Sequence, residues 1–203
     1  MKMNLKWLCG LIFLVLVACD TNPNQLSMLR PNDVILAFGD SLTLGVGTEP
    51  ELSYPAQLER LTGRRVINAG VSGEISRDGA KRLPALLDRD KPQLVIICHG
   101  GNDILRQLDR QTVRDNLRSM VEAARKRAVD VVMIAVPQPN LLINDAALYH
   151  ELAEELKIPL LEKTLGTLLA DPQYKSDAIH LNAQGYRKLA EAVADLLVNN
   201  GII

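Results

Sequence analysis

VILAFGDSLTLG, residues 34–45, decides how the chain folds. Five apolar residues, Val34 to Phe38, stop abruptly at Gly39-Asp40-Ser41, and leucines spaced by small residues follow. A short run that is apolar throughout is the pattern of a strand buried on both faces, as in a parallel sheet. Asp40 and Ser41 are common turn and cap residues, so the stretch alone admits a plain turn with a capped helix behind it. It equally admits a serine presented as a nucleophile at a strand tip.

From Asp33 onward the same kind of apolar run recurs. RVINA (65–69), LVIIC (94–98), VVMIAV (131–136) and a weaker IPLL (158–161) read as further strands. Between them lie stretches of helical periodicity: YPAQLERL, GAKRLPALLD, TVRDNLRSMVEAARKR, NDAALYHELAEEL and AQGYRKLAEAVADLLV. Apolar strands alternating with helices predict an α/β domain, a three-layer α/β/α arrangement around a parallel sheet of about five strands. Ligands in such sheets gather beyond the carboxyl ends of the strands. Those ends read Gly39-Asp40-Ser41, then Asn68-Ala69-Gly70-Val71-Ser72-Gly73, then Gly100-Gly101-Asn102-Asp103, all small and polar. Together they predict a crevice floored by backbone amides.

Toward the C terminus, Asp177-Ala178-Ile179-His180 spaces a carboxylate and an imidazole three residues apart. A carboxylate so placed can accept from one ring nitrogen and leave the other to take a proton. Asp177 reads equally as a turn residue, with Asn182 capping the last helix. His150 sits in a charged helical stretch and reads as surface. His99 directly follows the third strand.

The first residues stand apart from the fold. Lys2 and Lys6 precede an apolar core from Leu8 to Val17, too short for a membrane span, which takes about 20 residues. Leu16-Val17-Ala18-Cys19 resembles the lipobox of bacterial lipoproteins. That resemblance implies cleavage after residue 18, acylation of Cys19 and a lipid anchor in a bacterial envelope, with the chain facing the periplasm and the choice of inner or outer membrane open. Residues 19–32 then form an acylated N-terminus and polar tether, with DTNPNQLSMLR (20–30) as its irregular part, and 33–203 the α/β domain. Removing residues 1–18 takes away two lysines and no acid, leaving 21 positive and 24 negative side chains, a net of −3. A mildly acidic chain without basic clusters gives no support for nucleic-acid binding. Cys98 is then the one thiol left free, so no internal disulfide forms, and its apolar setting reads as a small buried hydrophobe.

FGDSLT (38–43), NAGVSG (68–73), GGND (100–103) and DAIH (177–180) resemble, in order, the four blocks of the SGNH (GDSL) hydrolases, nearest in look to the bacterial thioesterase, lysophospholipase and arylesterase branch. The resemblance implies a flavodoxin-like sheet and a serine esterase without metal or cofactor, acting on small acyl esters, thioesters or lysolipids. Carried over by position, Ser41 is the nucleophile, Asp177 and His180 complete the triad, and Ser41, Gly73 and Asn102 form the oxyanion hole. The family's last block often reads Asp-Gly-x-His-Pro; here Leu181 follows His180 and Ala178 follows Asp177, which spares both reactive side chains. His99, before GGND, stands where it could line the acyl pocket, and its role and that of Cys98 stay open. Three rivals are weighed by residues. A dinucleotide fingerprint fails at Pro50, where the third glycine of G-x-G-x-x-G belongs, and an α/β-hydrolase elbow fails at Thr43, where the second glycine of G-x-S-x-G belongs. A carbohydrate or peptidoglycan O-acetylesterase shares fold and triad; without residues 1–18 the chain keeps one Phe, four Tyr and no Trp, few flat faces on which to stack a sugar. A non-catalytic envelope lipoprotein is the remaining alternative.

Overall fold

The computed structural model describes residues 26–138 and 144–203; the signal-like segment and Cys19 lie outside them. Its sheet has five strands in the order β2-β1-β3-β4-β5: β1 Ile35–Gly39, β2 Val66–Gly70, β3 Leu94–Cys98, β4 Asp130–Ile134 and β5 Leu160–Leu161, all pairing parallel. This is the flavodoxin-like order, with its switch point between β1 and β3. Every residue of β1 and β3 is buried, which explains why both read as unbroken apolar runs rather than alternating ones. Truncating a core side chain there, such as Leu36→Ala, carries the usual cost of about 2–5 kcal/mol.

Helices cover both faces. On one, α2 (Tyr54–Thr62) packs against α8 (Ala183–Asn199); on the other, α3 (Ser76–Asp90), α5 (Arg110–Arg125) and α6 (Ala147–Leu156) pack side by side. Two one-turn helices, α1 (Ser41–Leu44) and α4 (Gly101–Leu105), follow β1 and β3 directly, and α7 (Thr164–Ala170) follows β5. The first strand starts one residue later than its apolar run because the Val34 N–H is taken by the Gln93 side chain at 2.8 Å instead of by the ladder. The third helix starts three residues before GAKRLPALLD because the buried Asp103 carboxylate captures both the N–H and the hydroxyl of Ser76, at 2.8 and 2.7 Å.

The stretch read as a tether is docked over its last part. Leu29 is only 3% exposed and its N–H donates to the Ile202 carbonyl at 2.6 Å, while the Ser27 N–H donates to Asp130 Oδ2 at 2.7 Å. Leu26 and Leu29 have apolar surface to bury, and Ile202 supplies it, so the packed unit begins before Asp33.

Candidate active site

Gly39 closes β1 where it pairs with Gly70 on one side and Cys98 on the other, so three strand ends meet at one level of the sheet. Asp40 then caps α1, its Oδ1 accepting the Leu42 N–H at 3.1 Å. The cap reading of this turn holds for Asp40, and it leaves the neighbouring Ser41 side chain free to face the crevice. Ser41, at the first position of α1, meets His180 Nε2 with its Oγ at 3.0 Å. His180 Nδ1 lies 2.8 Å from Asp177 Oδ2, and Asp177 Oδ1 accepts the N–H groups of Ile179 and His180, each at 2.8 Å. The loop bearing this pair is pinned by Ser176, whose N–H donates to the His180 carbonyl at 3.0 Å, and by Asn182, which accepts the Gly185 N–H at 2.9 Å and caps α8. Asn182 is thus the helix cap, and Asp177 both orders its own turn and contacts the His180 ring.

With the carboxylate on Nδ1, the proton sits on that nitrogen and Nε2 is left as an acceptor for the serine hydroxyl. Burial pushes the Asp177 carboxyl up, but the hydrogen bonds from the His180 ring and from the two backbone N–H groups outweigh it and hold the group below the usual range. The carboxylate stays ionised at neutral pH, and the half exposure of its side chain to water works in the same direction.

Gly73 and Asn102 border the same cavity as Ser41 and His180. Gly73 has φ +76°, and a Cβ there would find no protein atom nearer than Arg106 Nη2 at 4.0 Å; the backbone conformation, not space, asks for glycine. Among the described residues, neither the Ser41 nor the Gly73 N–H donates to a protein acceptor. Asn102 Nδ2 donates to the Glu74 carbonyl at 3.0 Å and makes a longer contact of 3.4 Å with Asp40 Oδ2. The cavity, about 690 Å³, has an apolar lining that includes Ile104, Leu105, Val136, Leu169 and Ile179.

A model of the GDSL-like lipase/acylhydrolase family matches residues 37–188. The chain belongs to this family. It is 31% identical over 173 residues to thioesterase 1/protease 1/lysophospholipase L1 of Escherichia coli K12, spanning 81% of this chain and 83% of that protein. To the arylesterase of Vibrio mimicus it is 31% identical over 201 residues, 94% of this chain and 98% of that one. The crystal structure of TesA superimposes with a TM-score of 0.77 at 29% identity, covering 83% of this chain and 99% of that one. This GDSL hydrolase is accordingly a carboxylic ester hydrolase.

One expectation is corrected. His99 does not line the acyl pocket of the GDSL hydrolase: it is 0% exposed and is not among the cavity residues. Its Nε2 meets Glu74 Oε2 at 3.0 Å and its Nδ1 accepts the Gly100 N–H at 2.9 Å. Gly79 makes the room, since a Cβ there would stand 2.3 Å from His99 Nε2. Cys98 is fully buried, as its apolar surroundings predict. His150 is 40% exposed between Asp145 and Glu162, consistent with a surface role. Among the described residues, no group of three His, Cys, Asp or Glu is placed to hold a metal, and no helix is long and apolar enough to cross a membrane.

Sequence reasoning passed over Glu74, Arg82 and the clamp between Ser76 and Asp103. The signal was faint: Glu74 directly follows the NAGVSG block and Asp103 ends GGND, but only the fold brings the partners together. The cavity walls at Val136 and Leu169 carried no signal, because an apolar residue beyond a strand looks like any core residue.

Proposed function

We propose that this hydrolase cleaves acyl esters or thioesters by a Ser41-His180-Asp177 triad, with Ser41, Gly73 and Asn102 as the oxyanion hole. The observation that carries the reading is the unbroken chain from Ser41 Oγ to His180 Nε2 (3.0 Å) and from His180 Nδ1 to Asp177 (2.8 Å). A serine hydroxyl attacks a carbonyl only if a base takes its proton as the bond forms, and Nε2 is within reach to do so. The imidazolium that results faces an ionised Asp177, which stabilises it, and later returns the proton to the leaving alkoxide or thiolate. Water then enters by the same route and releases the acid.

The tetrahedral intermediate places negative charge on the former carbonyl oxygen. The unpartnered N–H groups of Ser41 and Gly73 are suited to receive it. Asn102 has one amide hydrogen committed to Glu74, and the weak 3.4 Å contact with Asp40 leaves the other to turn toward an arriving oxyanion. A largely apolar cavity of about 690 Å³ with no Phe, Tyr or Trp among its described lining residues supports an acyl chain rather than a stacked sugar as the bound group. The thioesterase, lysophospholipase and arylesterase relatives support the same class.

The membrane anchor through an acylated Cys19 is part of this proposal and rests on the order of basic start, apolar core and lipobox in residues 1–19. The substrate class is tested with nitrophenyl esters from acetate to palmitate, beside an acyl-CoA and an acetylated sugar, with Ser41→Ala as the blank. Hydrolysis of acyl esters that Ser41→Ala abolishes is the expected result. Turnover confined to the acetylated sugar would overturn the acyl reading, and turnover surviving in Ser41→Ala would overturn the triad.

A further inference from the structure

The two oxyanion segments that follow β2 and β3 have no ladder between them, because both strands pair with β1. Two strand spacings, roughly 9.5 Å, separate their roots. Side chains must therefore set the distance between Gly73 and Asn102, and donors of this kind act only within roughly 2.7–3.1 Å of the oxyanion.

We propose that the buried pair His99 and Glu74 is a positioning device for the oxyanion hole, spanning from the β3 end to the β2 loop and aiming the Asn102 amide through the Glu74 carbonyl. This rests on the reading of Gly73 and Asn102 as oxyanion donors. The geometry is specific. His99 Nδ1 accepts the Gly100 N–H at 2.9 Å, which leaves the ring proton on Nε2, pointing at Glu74 Oε2 3.0 Å away. The imidazole has nowhere else to go: it is 0% exposed, lies beneath Gly79, and its centroid is 5.6 Å from that of Phe38. On the far side, Arg82 grips the same carboxylate, Nε to Oε1 at 2.8 Å and Nη2 to Oε2 at 2.6 Å. Arg82 is itself held by the Ala69 carbonyl at 3.0 Å and lies 4.4 Å over the Phe38 ring. With the Glu74 side chain held from both sides, its backbone carbonyl is held too, and that carbonyl is the acceptor of Asn102 Nδ2 at 3.0 Å. Gly73, one residue earlier, shares the restraint. Neither His99 nor Glu74 touches the cavity, so they act through Asn102 and Gly73.

The test uses two replacements that each keep half of the imidazole. His99→Gln reaches the Nε2 position and can donate to Glu74 but leaves the Gly100 N–H unpaired. His99→Asn can accept from Gly100 but stops short of Glu74. Steady-state kinetics on a short-chain nitrophenyl ester, with melting curves, should show kcat lowered about tenfold or more in His99→Asn at nearly unchanged KM, since misplacement of about 1 Å is costly to the transition state. His99→Gln should rescue most of that loss. In an Asn102→Ala background, His99→Asn should cost clearly less than it does alone, because part of its route of action is gone. The reverse order, with Asn active and Gln damaged, would assign His99 to the Gly100 turn and overturn the proposal. So would full activity in both variants, or losses that multiply fully with Asn102→Ala. If the His99 variants fail to fold, Glu74→Asp decides: it keeps the charge and the Arg82 partner but withdraws the carboxylate from His99, and a folded, fully active Glu74→Asp overturns the pair. A silent Asn102→Ala would remove the oxyanion reading itself, whereas a damaged Asn102→Ala beside a silent His99→Asn overturns this inference alone.

Discussion

Asn102 shows how one side chain serves two demands. One amide hydrogen fixes it to Glu74, and the other faces a long, weak contact that an oxyanion would replace. Asn102→Ala should lower kcat by about 10²- to 10³-fold, roughly 2.7–4 kcal/mol of transition-state stabilisation, with little change in KM, because the ground-state carbonyl carries less charge. A near-wild-type kcat in a folded Asn102→Ala protein would remove it from the mechanism. In the proposed triad Ser41 and His180 act as a unit, so each alanine variant should cost several orders of magnitude and the double variant little more than either; multiplying losses would place them in separate roles. Glu74 ties charge to stability. Burial pushes its carboxyl up, but His99 and Arg82 outweigh that and draw it down from 4.5 to about 2. A carboxyl lowered on folding contributes stability above its unfolded value and loses it as pH falls toward its folded one. Glu74→Gln should therefore unfold more easily at pH 7, by about 1.5–3 kcal/mol, with the gap closing from pH 4.5 toward 2. Urea midpoints at pH 7, 4.5 and 3 check this, and a gap that does not vary with pH would rule out the charge as the cause.

Among the elements, the one-turn helices were the hardest to foresee. Helices α1 and α4 have too few residues to show a period, and read as turns. Their existence depends on what they land against. A Cβ on Gly70 would stand 2.1 Å from the Leu44 N, so β2 and α1 touch backbone to backbone. Gly70→Ala must push apart the strand end and the helix that carries Ser41. The expected cost is about 1–3 kcal/mol of overpacking strain, together with a loss of kcat larger than the drop in stability alone would produce. Denaturation midpoints and turnover of the folded fraction measure the two separately; unchanged values for both would mean that α1 has room to move.

For the molecule as a whole, the attachment of residues 26–30 matters. The Ser27 N–H is held by Asp130, the first residue of β4, and so at the amino end of the parallel sheet, while Ser41 lies beyond the carboxyl end of β1. In the proposed lipid-anchored form, residues 20–25 can reach at most about 22 Å, so the anchor keeps the domain close to the bilayer. Cys19→Ala should move the protein from the membrane to the soluble fraction, since stable anchoring needs more than one acyl chain. Turnover of a water-soluble ester should be the same in both fractions. Equal membrane partitioning of the processed Cys19→Ala protein would sink the anchor.

By itself the sequence determined the parallel sheet, the site's four segments and their order, because burial on both faces leaves unbroken apolar runs and strand ends are marked by Gly39, Gly70 and Gly100-Gly101. It also singled out Ser41, Asp177 and His180, which the fold brings within hydrogen-bond reach of one another, since a serine at a strand tip and a carboxylate–imidazole spacing are local features of the chain. Only the tertiary structure decided what His99 does. From position it looked bound for the pocket; packing beneath Gly79 turned it inward onto Glu74, 25 residues away along the chain. Periodicity records which residues avoid water, but not which buried polar group will satisfy which, because that depends on where strands that are not neighbours end in space.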